Sequence, residues 1–170
     1  MQKNRGQIIV EALVAMTIIV VGLLGILSLV TRSFALTKTV ADQYAANSLA
    51  AEGLEIVKNL LSRNVEQTPS APFDAGISTG SFCVTYIDTS LGISIPPCPH
   101  LRFDSSTGLY SYAASGVETP FTRTVDIDID PDGDGIFQQF KVVSRVMWSS
   151  RGQDFEVKIE DRFYDSKIPN

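Results

Sequence analysis

A chain of 170 residues with 44% apolar and 19% charged side chains suits one folded domain with an appendage. Its 19 Asp+Glu against 14 Lys+Arg give a formal net charge of −5. That balance argues against non-specific nucleic-acid binding, which depends on neutralising phosphates, so nucleic acid is not an expected partner.

Residues 1–6 carry Lys3 and Arg5 and no acid, and are too short and polar for a secretory signal with its own apolar core. Glu11 then stands at the mouth of residues 12–31, which contain no charge. Twenty helical residues at 1.5 Å each span roughly 30 Å, the hydrocarbon thickness of a bilayer, so a transmembrane helix is predicted. The leading cations place its N-terminus in the cytoplasm and the remainder outside. Gly22 and Gly25 lie inside the run, where small residues let helices approach one another or simply pack.

No proline interrupts residues 31–64, so the helix is expected to continue out of the membrane. Leu49, Ala50, Gly53, Leu54, Ile56, Val57, Leu60 and Leu61 follow i, i+3, i+4 spacing, with Glu52, Glu55, Asn59 and Ser62 assigned to the opposite face. Residues 65–80, with Pro69, Pro72, Gly76 and Gly80, read as a loop. The period then becomes two. Residues 81–89 are predicted as a strand, Pro96, Pro97 and Pro99 as an extended connection, and residues 101–103 and 109–112 as a hairpin. Three alternating segments follow, at 121–129, 140–148 and 155–163, joined by turn-forming stretches. They make an antiparallel meander with one apolar face, on which Trp148 belongs to the core and across which Arg145 can reach Glu156 or Glu160. A helix with one apolar stripe and a sheet with one apolar face are complementary, which gives an α+β fold: a long N-terminal helix packed on a C-terminal antiparallel sheet. The expected divisions are 1–6, a membrane helix at 7–31, an amphipathic half at 32–64 and a sheet domain at 65–170.

Two residue groups suggest chemistry in the polar half. Cys83 and Cys98 lie 15 positions apart and pair as a disulfide if this half is exported, or remain buried thiols if it is not. Asp130-Pro131-Asp132-Gly133-Asp134-Gly135 places carboxylates at alternate positions before a glycine, as calcium loops do, with Asp128 available to help. Position twelve of such a loop is Lys141 and the flanks are strands, so a helix-loop-helix hand is excluded. A looser calcium site and a solvated acidic turn remain the two readings. His100 has no nucleophile or metal cluster at recognisable spacing and is read as a loop residue. Neither a nucleophile elbow nor a phosphate-cradling loop occurs, so no catalytic residue is assigned and no enzyme is expected.

The residues Arg5-Gly6 followed by Gln7 and, five positions after Gly6, by Glu11 at the head of an apolar run resemble the processing segment of type IV prepilins and type II secretion pseudopilins. The resemblance covers roughly residues 3–35. It implies cleavage by a prepilin peptidase between Gly6 and Gln7, modification of the new N-terminus at Gln7, and assembly in which Glu11 receives a neighbour's N-terminal ammonium. Gln7 stands where the family usually has phenylalanine, and an N-terminal glutamine can also cyclise. Removal of residues 1–6 leaves 12 Lys+Arg against 19 Asp+Glu, a net −7. The implied partners are other pilin subunits, the peptidase, the pilus assembly machinery and the membrane. Gly22-Leu23-Leu24-Gly25 and the long C-terminal hairpin are more similar to minor subunits. The competing expectation is a single-pass anchored protein whose outer domain binds a ligand or partner.

Overall fold

The computed structural model describes residues 5–67, 72–86, 97–129 and 139–164. It is α+β: one N-terminal helix, α1 (Arg5–Gln67), and a C-terminal antiparallel sheet. The strands are β1 (Gly80–Phe82), β2 (Arg102–Asp104), β3 (Leu109–Ser111), β4 (Val117–Glu118), β5 (Thr122–Ile129), β6 (Gln139–Ser150) and β7 (Gln153–Tyr164). The chain divides into two units between Asp42 and Gln43, within the helix.

The first unit is helical and apolar. Each described side chain from residue 6 to residue 34 is exposed, and the helix is long and apolar enough to cross a membrane. Its threonine hydroxyls are satisfied locally. Thr17 Oγ1 donates to the Leu13 carbonyl at 2.8 Å and Thr31 Oγ1 to the Leu27 carbonyl at 3.0 Å, so neither presents an unmet donor to lipid.

In the second unit the helical stripe covers the sheet. The main sheet has the order β1-β5-β6-β7, all antiparallel, and its last three strands form the expected meander. Two apolar clusters lie between helix and sheet. Ala46, Leu49 and Ala50 pack with Leu101, Phe121, Val146 and Trp148 in one; Ile56, Val57, Leu60 and Leu61 pack with Val125, Ile127, Phe140 and Val142 in the other. The first helical turns therefore meet the start of β5 and the later turns its end, which makes this stretch of α1 run along β5. Trp148 is buried and stacks on Phe155 with ring centroids 5.4 Å apart.

Several boundaries differ from expectation, each for a local reason. Helix α1 continues past Asn64 to Gln67; the Asn64 amide donates to the carbonyls of Phe73 and Ala75, tying the loop back without ending the helix. The first strand pairs only over Gly80–Phe82, because Cys83 turns into a disulfide and the Val84 carbonyl accepts from a side chain instead of a ladder partner. Cys83, Val84 and Thr85 are consecutively buried, which a half-buried strand cannot achieve. Residues 87–89 of the predicted strand lie outside the described residues. The β2–β3 hairpin is present, and β4 adds to it on the other side of β2, making a second sheet that was not expected. Arg145 meets Glu156 at 3.0 Å and Asp126 at 3.6 Å, while Glu160 pairs with Lys141 at 3.5 Å.

Candidate assembly and processing site

Gly6, Gln7 and Glu11 all lie on α1 and all are exposed. Gln7 and Glu11 are one turn apart on the same face, about 6 Å along the axis. Among the described residues Glu11 has no ion-pair partner. At about 100° per residue, Gln7, Glu11, Ile18, Gly22, Gly25 and Leu29 fall within about 60° of one another. The glycines are thus on the Glu11 face. A Cβ built on Gly6, Gly22 or Gly25 meets nothing within 4 Å, so no contact among the described residues explains the missing side chains. This face has one charge, two notches and an apolar wall, a composition suited to close approach by another helix and to an opposite charge that meets Glu11.

The cysteines form a disulfide, Cys83–Cys98, with an S–S distance of 2.00 Å, and Cys83 is buried. Asp130, Asp132 and Asp134 lie outside the described residues. Asp128, near the end of β5, pairs through its backbone with Lys141, and among the described residues no group of three or more metal-ligating side chains occurs. His100 is exposed in a loop.

A further residue group centres on Arg123, to which the sequence pattern assigned no role. Arg123 is 0% exposed. Its Nη1 donates to the Leu49 carbonyl at 3.1 Å and stands 3.3 Å from Glu52 Oε2, and its Nη2 donates to the Val84 carbonyl at 2.7 Å. One guanidinium therefore joins helix, β5 and the segment beside Cys83. Beside it, a Cβ on Gly53 would collide with Ser144 Oγ and come within 3.2 Å of Arg123 Cδ. Arg123, Ser144 and Gly53 form a polar layer between the two apolar clusters. Glu52 belongs at the margin of the helical stripe, facing Arg123, rather than on the opposite face with Glu55 and Asn59. The available signal was the parity of β5: Arg123 occupies an inward position between Phe121 and Val125.

Comparison with protein-family models, curated proteins and solved structures finds no match for this chain. The layout of a long apolar N-terminal helix, an antiparallel sheet and a disulfide is pilin-like.

Proposed function

We propose that this chain is a structural subunit of a type IV pilus or type II secretion pseudopilus, a minor subunit rather than the major one, without enzymatic activity of its own. The observation that carries the reading is the Glu11 face of α1, where a carboxylate and two glycines share one exposed stripe that none of the described residues covers. The precursor sits in the cytoplasmic membrane with residues 1–6 in the cytoplasm and the sheet unit outside. Cleavage after Gly6 creates an ammonium at Gln7, which pairs with Glu11 of a neighbour; an ionised carboxylate in an apolar environment is costly unless paired. Gly22 and Gly25 admit that neighbour's helix closely enough for the pairing. The disulfide accords with an oxidising compartment outside the cytoplasm.

The test is to co-express the full chain with a prepilin peptidase and read the N-terminus by intact mass and terminal peptide sequencing. A mature chain beginning at Gln7 with its amine free or methylated is the expected product; a cyclised Gln7 would lack the ammonium that Glu11 is proposed to meet. Retention of residues 1–6 overturns the proposal. One observation favours a second reading, a membrane-anchored binding protein: a groove of about 560 Å³ on the sheet unit, lined by residues including His100, Met147, Asp154 and Glu156, has the size of a small-ligand site. In that case the anchor stays uncleaved.

A further inference from the structure

Strand β7 is the last in its sheet, and among the described residues no strand pairs with its outer edge. It is 12 residues long, against three for β1 at the opposite edge. The β6–β7 turn, Arg151-Gly152, closes on the pair Ser150 and Gln153, and the register then runs unbroken to Gln139 and Tyr164. A two-residue hairpin turn closes on a hydrogen-bonded pair, so odd-numbered residues of β7 bond to β6. The even-numbered ones direct their N–H and C=O groups outward. A long edge of this kind is a template for another strand.

We propose that this edge pairs with β7 of a second copy of the chain, antiparallel and two-fold symmetric about Ile159. In that register Glu156 lies opposite the second copy's Arg162, Lys158 opposite its Glu160, and each contact occurs twice. The half-buried Phe155 lies beside the second copy's Phe163, and Ile159 beside Ile159. Asp161 opposite Val157 is the one poor match. A shift of two residues in one direction sets Glu160 against Glu160 and Lys158 against Arg162. The other direction sets Lys158 against Lys158 and Glu156 against Glu160. Like charges directly opposite are unfavourable and opposite charges favourable, so the strand's own charges favour this register over the two nearest to it, and it also pairs more of the strand than larger shifts do. Charges on an edge strand ordinarily block pairing with arbitrary strands. Here their order blocks the neighbouring registers and leaves the one centred on Ile159 open. The charged side chains remain accessible: those of Glu156, Glu160 and Arg162 are 50%, 38% and 42% exposed.

The partner is thus a second copy, and the symmetry sets its direction. A two-fold axis normal to the sheet reverses residues 43–67 of α1, which lie along the strands. The pair therefore joins two oppositely directed sheet units, an arrangement that parallel neighbours in one assembly could not adopt. The inference stands whether or not the chain is a pilin subunit.

The test uses the full chain in detergent micelles with Ile159→Cys as reporter. Non-hydrogen-bonded antiparallel partners have Cα atoms about 4.5 Å apart, within disulfide reach. Mild oxidation is expected to give a dimer whose 159–159 bond is identified by peptide mass. On this background Lys158→Glu and Glu160→Lys should each reduce the cross-link by about tenfold, each facing like charges twice. The double variant, and an equimolar mixture of the two single variants, should recover the cross-link, which also shows that the singles are folded. Absence of the dimer, equal yields in all variants, as association through the apolar helix would give, or no recovery in the double and the mixture would each overturn the proposal.

Discussion

Arg123 occupies a place where strand alternation calls for an apolar side chain, and it is tolerated because both of its terminal nitrogens meet acceptors, although its Nε has no partner among the described residues. Two main-chain carbonyls and the Glu52 carboxylate surround the guanidinium. A buried charge that loses its counter-charge keeps the cost of its desolvation. Glu52→Gln should therefore lower the unfolding free energy of the full chain by about 1–3 kcal/mol, read as a shift in the denaturant midpoint. Glu55→Gln is the control. Glu55 pairs with Lys58 at 3.3 Å, with both side chains more than half exposed, and its loss should cost under about 0.5 kcal/mol. Equal effects of the two changes would mean that Arg123 draws nothing from Glu52.

Within α1 the same residue type serves opposite purposes. Gly53 is required from inside, since its Cα lies against Ser144 and Arg123; Gly22 and Gly25 face open space. An exposed helical Gly→Ala change stabilises by up to about 1 kcal/mol through backbone entropy. Gly53→Ala should instead destabilise by about 1–3 kcal/mol, because the added methyl overpacks a closed layer. Thermal melting of the full chain distinguishes the sign. Gly22→Ala and Gly25→Ala should leave that melting unchanged or slightly raised while reducing incorporation into filaments, scored by the amount of chain in sheared filament fractions. Normal incorporation of both variants would remove the glycine face from the assembly mechanism.

Across the whole molecule, the sheet unit is held by the meander, by the helix laid over it and by one covalent link. The Cys83–Cys98 bond closes a loop of 15 residues beside the Val84 carbonyl that Arg123 uses. Replacing both cysteines by serine should cost about 3 kcal/mol by loop entropy. The loss should also be less than additive with Glu52→Gln, because both changes loosen partners of the same guanidinium. A double-mutant cycle in denaturant measures this. Strict additivity would show that the disulfide and the buried arginine act independently.

What the sequence determined by itself were features with a period or a length. Twenty uncharged residues specify a membrane-length helix, three alternating segments separated by turn residues specify a meander, and one stripe plus one apolar face specify that they pack. These signals are local, repeated and carried by many residues, so single exceptions do not erase them. The roles of Arg123, Glu52 and Gly53 were not legible because each depends on partners far along the chain, 39 and 74 positions away for the carbonyls that Arg123 meets. The premature end of β1 and the addition of β4 were hidden for the same reason, since a disulfide and a side chain-to-carbonyl bond compete with ladder pairing only once the chain has folded. Gly6, Gln7 and Glu11 lie at the other limit: their spacing is visible in the chain, and what they meet lies outside it. Tertiary structure decided which polar groups the core could accept, because burial carries a desolvation cost that partners brought from distant parts of the chain must offset.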